Sequence, residues 1–479
     1  MKDTTKKIIR RLSFCLALCG VLWLGWTWYD NNVDRSGWRE KNGITMYADF
    51  HGKPVTGWQE IDSGHYYFAE DHALQTGWQE IDGSTYYLNT DGRMQTQWLE
   101  LDGCRYYLGG DGILRTHWQQ IEEDRYYFGD TGILHTGWLD LDESRHYFLE
   151  DGALATGWQQ IDSSTYYLDE NGTPTCGWVE LEDGLFCFDG SGILYTGWTE
   201  LEGKTYLFSD TGAAHIGWLD SDEGRYYFDE TGAMAAGWTD IADQRYYFSE
   251  SGILHTGWLE LEEYRYYLLP DGAMATGPQE IDGQTFYFSP KGIWVLLVNP
   301  WHPMPGDYSP ELVEIEDGFF VDAGCLDALK VMMNAMRDEG LLPFFSSAYR
   351  NEAEQRGVWQ TYVQRFMDAG YDTDQANAMT AAYVAVPGTS EHHTGLAVDI
   401  VGHDYYYTGH PGSTMAVQAW LKEHCWEYGF ILRYTKEKQA ITGFAAETWH
   451  FRYVGTEVSM DMKDSGLCLE EYLGAQNAR

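Results

Sequence analysis

A tryptophan stands at every twentieth position from Trp38 to Trp258, twelve times without a slip, and Pro278 takes the thirteenth place. Each unit follows one plan, as in Gly57-Trp58-Gln59-Glu60-Ile61-Asp62, a turn, Tyr66-Tyr67-Phe68 and a second turn. Short aromatic and aliphatic runs bounded by Asp-Gly or Asn-Gly predict β-hairpins, because glycine supplies the positive φ of tight turns. A second glycine recurs at 52, 92, 112, 132 and on to 292, and only His72 breaks that series. No hairpin of this size buries its aromatic face alone, so about thirteen in series should stack into a solenoid. The recurring Trp and one Tyr of each pair are expected to build its core.

After Gly292 the period stops. Helical periodicity appears over Cys325–Glu339 and Asn351–Ala369, and alternation from Gly395 predicts a strand with Ala397 and Asp399 on one face and Leu396, Val398 and Ile400 on the other. The expected fold is therefore multidomain: a β-hairpin solenoid over residues 37–296, then a small α+β domain over 297–479 with its own core. At the start of the chain, Lys2, Lys6, Lys7, Arg10 and Arg11 precede an uncharged, mostly apolar run from Leu12 to Tyr29 that carries Trp23, Trp26 and Trp28. Residues 1–29 read as a basic cytoplasmic tail and membrane anchor, or as a signal peptide if the segment is cleaved.

Composition narrows the function. The 479 residues include 74 acidic and 31 basic side chains, a net charge of −43, so a nucleic-acid partner would be repelled along most of the surface. With 21 Trp and 35 Tyr, the chain is also too aromatic to be a disordered acidic polymer. Residues 51–290 hold 43 acidic and 10 basic side chains, so most of the charge belongs to the array, where it favours cationic groups over a bare phosphate polymer. Of eight cysteines, Cys15 and Cys19 lie in the apolar run and the other six are scattered with no CxxC pair. They read as small buried hydrophobes, neither a disulfide framework nor a thiolate zinc site.

The chemistry lies in two short segments, Ser390-Glu391-His392-His393-Thr394-Gly395-Leu396-Ala397-Val398-Asp399 and Glu447-Thr448-Trp449-His450-Phe451-Arg452-Tyr453. An imidazole on the entering loop and a carboxylate on the strand can share a metal, and His450 would be the third ligand. One zinc ion on His392, Asp399 and His450 keeps a coordination position open, as catalytic sites require. Glu447, three residues before His450, would reach a water there as general base and then act as acid toward the leaving amine.

Two resemblances follow from these residues. Residues 37–296 resemble the cell-wall-binding repeats of Gram-positive surface proteins, the choline-binding and glucan-binding family. That resemblance implies aromatic cages for choline of teichoic acids, another wall polymer or a glucan, with Trp58, Trp78, Tyr66, Tyr86, Trp138 and Trp258 as candidates. The paired motifs SxHxxGxAxD and ExWHxRY resemble the zinc D-alanyl-D-alanine carboxypeptidases of the VanY type, and the likeness extends over about residues 297–456, including Ser347-Ala348-Tyr349-Arg350 and Tyr428-Gly429-Phe430-Ile431-Leu432-Arg433-Tyr434. It implies His392, Asp399 and His450 as zinc ligands and Glu447 as base. Arg350 would stabilise the polarised carbonyl or the substrate carboxylate, and Ser390 and Gln355 would contact substrate.

Two departures stand out: Thr448 where the family commonly has Pro, and His393 beside His392 as a pocket or supporting group. The expected protein is a wall-attached carboxypeptidase that removes the terminal D-alanine of peptidoglycan stem peptides. The alternatives are a non-catalytic wall-binding adhesin or organising protein, and a peptidoglycan endopeptidase or L,D-carboxypeptidase.

Overall fold

The computed structural model describes residues 33–403 and 412–475 without interruption, together with isolated positions between 6 and 26. Most of the expected anchor lies outside the described residues, and among those described no helix is long and apolar enough to cross a membrane. The chain forms two compact units, Met1–His215 and Ile216–Arg479, divided within the array.

The first unit contains nine two-stranded antiparallel hairpins, from Gly37–Lys41 with Ile44–Ala48 to Gly197–Leu201 with Lys204–Phe208. In the hairpin Gly77–Ile81 with Ser84–Leu88, Ile81 pairs with Ser84 across Asp82 and Gly83, whose φ values are 51° and 77°. Two consecutive left-handed residues match the twist of the flanking strands. In the second turn Gly92 N–H donates to Asn89 C=O at 2.8 Å, and Met94 N–H reaches back to the preceding hairpin at His65 C=O, also 2.8 Å. The same link repeats from Leu114 to Thr85 and from Leu134 to Arg105. Gly92 is doubly constrained: its φ is +78°, and a Cβ there would lie 2.5 Å from Leu74 Cδ1. His72, at the place where the glycine series breaks, takes the same left-handed conformation with φ 71°.

The tryptophans pack into the array as expected, but its most buried position is a different one. Phe68, Leu88, Leu108, Phe128 and Phe148 are at most 1% exposed, whereas Trp38, Trp158 and Trp178 are 43%, 39% and 41% exposed. Pairing explains this. Trp58 sits opposite Tyr67, while Phe68 sits opposite Gly57 and so points to the other face of the hairpin. The face carrying Phe68 and its equivalents turns inward, while the tryptophans stand half-buried or exposed on the other face, edge-on to tyrosines and packed on the inward Phe of the next hairpin, as Trp38 on Phe68 at 5.9 Å and Trp98 on Phe128 at 6.0 Å.

The second unit continues with four hairpins ending at Gln284–Phe288, then an α+β domain. Its sheet has four antiparallel strands in the order Pro343–Ser347, Ala397–Gly402, Glu447–Tyr453, Phe430–Tyr434. Helix Ala323–Asp338 is capped by the Asp322 side chain, which accepts from Gly324 N–H. It buries Cys325, Leu329, Met332, Met333 and Met336, one stripe at helical spacing. These pack against Phe345, Val398, Ile400, Phe430 and Phe451 of the sheet. Helix Glu352–Asp368 starts with a capping box between Asn351 and Glu354. A second cluster joins Tyr287, Ile293, Val295 and Leu297 to Ile431, Val454, Val458 and Leu469, so the last hairpin shares a core with the sheet domain. The seven described cysteines are unpaired.

Candidate metal and catalytic site

Sheet register brings the two motifs together. Asp399 and His450 are direct partners on adjacent antiparallel strands, and Val398 and Ile400 fill the core on the opposite face. His392 enters from the short 3-10 helix Glu391–Thr394, whose start is capped by the Ser390 side chain accepting from His392 N–H. One ligand atom from each of His392, Asp399 and His450 lies within 4.8 Å of the others. His392 Nε2 is 3.4 Å from Asp399 Oδ2, and His450 Nδ1 is 3.1 Å from Asp399 Oδ1. Glu447 Oε2 is 3.7 Å from His450 Nδ1.

The imidazoles are fixed from behind. His392 Nδ1 donates to Ala348 C=O at 2.6 Å, which leaves Nε2 with its lone pair toward Asp399. His450 Nε2 lies 3.2 Å from Glu391 Oε2, so its other nitrogen faces Asp399. Glu391 is itself buried and held by Arg433 Nε at 2.8 Å and Arg452 Nη1 at 3.0 Å. Arg433 forks onto Glu470 at 2.9 and 2.5 Å, and Glu470 accepts from Asn299 Nδ2 at 3.0 Å. Charge-assisted, buried contacts of this kind set ring orientation and ligand basicity.

Electrostatics suit a cation at this place. Burial and then the charge of Arg350 lower His392 to about 4, so it is neutral and able to ligate. Burial also lowers His450, but hydrogen bonds to Asp399 and Glu391 outweigh it and raise His450 to about 9, the mark of a ring among carboxylates. Asp399 is buried with Oδ1 turned to His450 Nδ1 and Oδ2 turned to His392 Nε2, so both of its oxygens face the ring nitrogens. Burial pushes Glu447 up to about 7, a range in which a carboxyl both takes and gives a proton. The donor set of two ring nitrogens and one carboxylate, converging within 4.8 Å, fits a zinc-type ion.

These groups line a cavity of about 630 Å³ that also includes Arg350, Gln355 and Ser390. Arg350 Nη1 donates to Gln355 Oε1 at 2.8 Å, and Gln355 Nε2 donates to Ala385 C=O at 2.8 Å. The amide of Gln355 is therefore engaged in orienting the guanidinium. His393 turns away from His392, Asp399 and His450, with Nδ1 on Arg350 C=O at 2.6 Å and Nε2 accepting from Gly388 N–H at 3.1 Å. Thr448, the departure from Pro, donates to Gln418 Oε1 at 2.8 Å, clear of the cavity. Sequence reasoning assigned no role to Glu391, Arg433 or Glu470, nor to Tyr434 and Trp449 on the cavity wall. A second acidic residue, Glu391, directly before His392 in the motif was the one available signal.

The remaining candidates lie on the array. Trp58 meets Tyr67 and Tyr86 edge-on at 5.3 and 4.8 Å, and Trp78 meets Tyr87 and Tyr106 at 5.0 Å each. Tyr66 packs on Trp38 at 5.0 Å. Trp138 and Trp258 have the same neighbours in kind, but each also carries a guanidinium over its ring, Arg145 at 4.4 Å and Arg265 at 4.1 Å.

Residues 319–456 match the family model for the VanY D-alanyl-D-alanine carboxypeptidase. Residues 75–112 match a choline-binding repeat, and 156–173 and 216–234 a putative cell wall binding repeat. A D-alanyl-D-alanine carboxypeptidase of Enterococcus faecalis is 39% identical over 182 residues, 38% of this chain and 66% of the relative. The putative carboxypeptidase YodJ of Bacillus subtilis is 34% identical over 188 residues, 37% and 65%. The chain thus spans just under two thirds of the length of these relatives. A solved structure of VanYB with D-alanine-D-alanine is 39% identical, covering 38% of this chain and 97% of that one, with a TM-score of 0.35.

Proposed function

We propose, from the premise that this chain joins a VanY-family D-alanyl-D-alanine carboxypeptidase domain to choline-binding-type repeats, that it is a wall-attached zinc carboxypeptidase. It removes the C-terminal D-alanine from peptidoglycan stem peptides. In this reading residues 297–479 are the peptidase part, and 37–296 bind a wall polymer such as choline-bearing teichoic acid. Residues 1–29 attach the protein to the membrane. The observation that carries the proposal is the convergence of His392, Asp399 and His450 beside Glu447 at the wall of one cavity.

Zinc, held by those three residues, would supply a Lewis acid at the scissile carbonyl and acidify the attacking water. Glu447 takes a proton from that water as its oxygen joins the carbonyl carbon, and delivers a proton to the amine nitrogen as the C–N bond breaks. The products are the shortened stem peptide and free D-alanine. Arg350, a fork held by Gln355, pairs with the substrate's terminal carboxylate or the developing oxyanion. Ser390, buried at the cavity wall, offers its hydroxyl to the substrate backbone.

In the full chain, Glu447→Ala is expected to abolish D-alanine release from a pentapeptide substrate while retention on purified cell walls stays unchanged. Retained turnover would refute the role of Glu447. Dialysis against a chelator should remove activity, and one zinc per chain should restore it. A protein that binds walls but holds no zinc and releases no D-alanine would be the adhesin of the alternative reading. Mass spectrometry of digested muropeptides separates loss of a single D-alanine from endopeptidase or L,D-carboxypeptidase products.

A further inference from the structure

Six of the ten basic residues between 51 and 290 occupy one repeat position, seven past the tryptophan: Arg105, Arg125, Arg145, Arg225, Arg245 and Arg265. They come in two blocks. At the same position the remaining tryptophan-bearing hairpins carry Thr45, His65, Thr85, Thr165, Leu185 and Thr205. The structure shows what the arginines do. Each guanidinium lies over the ring of its own hairpin's tryptophan, at 4.4, 4.6, 4.4, 4.2, 5.1 and 4.1 Å from Trp98, Trp118, Trp138, Trp218, Trp238 and Trp258.

Register puts the arginine and the ring on one face. In the hairpin Gln97–Leu101 with Cys104–Leu108, Trp98 pairs with Tyr107 and Glu100 pairs with Arg105, so all four side chains share one face. Where the residue opposite is acidic, as it is for all but Arg125, which faces Gln120, the arginine engages that acid as well as the ring. Arg145 Nε is 3.6 Å from Asp140, Arg225 Nε 3.1 Å from Asp220 and Arg265 Nε 3.5 Å from Glu260. In the second block without arginine, Trp158 and Trp178 are 39% and 41% exposed, whereas the capped tryptophans are less so. Glu180 there stands opposite Leu185, which has no charge to offer, and Thr165 donates only to Gln160. Trp58 and Trp78 also lack an overlying guanidinium, with Glu60 opposite His65 and Glu80 opposite Thr85, although their rings are half-buried.

We infer that the arginine seven residues past the tryptophan is a built-in occupant: it closes its own hairpin to organic ammonium ligands and confines capture to the arginine-free blocks, including Trp158 and Trp178. The chemistry is the same in both cases. A cation over the electron-rich face, with a carboxylate two residues along the strand where one is present, is attracted by the ring quadrupole. A tethered guanidinium competes with an ammonium group from solution without losing translational freedom. By this assignment Trp138 and Trp258 are closed hairpins.

The inference rests on the reading of the array as a binder of cationic wall groups, and one experiment separates the two. Choline binding to the full-length chain is measured by equilibrium dialysis, with sites counted per chain. Replacing Arg105, Arg125 and Arg145 by Thr, which the hairpins of Thr85 and Thr165 already accommodate, should add about one site per arginine removed. Conversely, Thr165→Arg with Gln160→Glu should remove about one site, a change that needs no loss of packing. Wild-type binding that neither exchange alters would overturn the capping and leave the role of the array standing. No choline binding by any form would overturn that role and this inference together.

Discussion

His450 shows how much of the site is decided behind the ligating atoms. Its Nδ1 faces Asp399, and its Nε2 meets Glu391, a carboxylate buried between Arg433 and Arg452. Glu391→Gln keeps an acceptor of similar shape but removes the charge that fixes the ring. Metal affinity, read by competition with a chelator, should fall about 10–100-fold with the ligands intact. Arg350→Lys keeps the charge and loses the planar fork that Gln355 holds. We expect a loss of about 1.5–3 kcal/mol in kcat/KM, seen chiefly in KM if the fork binds the ground-state carboxylate. That His392, Asp399, His450 and Glu447 would come together was legible in the sequence because their chemistry and spacing fall within two short motifs. Glu391 was visible only as a letter in one of them. Its partners Arg433 and Arg452 are 42 and 61 residues away and meet it only through the sheet order, which no local spacing encodes.

At the scale of the element, the twenty-residue period gave the hairpins, their turns and their number, since each turn needs a left-handed residue at a fixed place. It did not give the inward face. Tyr66, Tyr67 and Phe68 are consecutive and all aromatic, so composition offers no choice among them, and only pairing with Gly57 sends Phe68 inside. The two turns also tolerate change unequally. Gly83 has φ +77° and nothing near a would-be Cβ, so Gly83→Asn should cost little, because Asn adopts this region. Gly92→Ala combines the left-handed penalty, about 1–2 kcal/mol, with a clash against Leu74 that must be relieved by repacking. Because stability in a repeat array is a sum of unit and neighbour terms, that loss should appear as an earlier partial melting step. D-alanine release by the same variant should be unchanged at 25 °C.

At the scale of the molecule, the family match ends at residue 456, yet the buried ion network does not. Glu470, on the short helix Leu469–Tyr472, binds both Arg433 of the sheet and Asn299 of the segment leaving the last hairpin. Glu470→Ala would leave a buried guanidinium short of a partner, at a cost of about 3–5 kcal/mol, and calorimetry should show the second unit melting several degrees lower. The joint has further ties: Lys291 to Glu457 at 2.9 Å, Tyr264 to Thr456 at 3.1 Å and Arg452 Nη2 to Leu296 C=O at 2.6 Å. Arg452 also holds Glu391, so the segment leaving the last hairpin is two side chains from His450. A peptidase mounted this way moves with its last hairpins as one piece. Those hairpins then act as a bracket and not as a grip: the mouth of the cavity keeps one heading relative to them, whereas an enzyme on a loose leash would sample every heading.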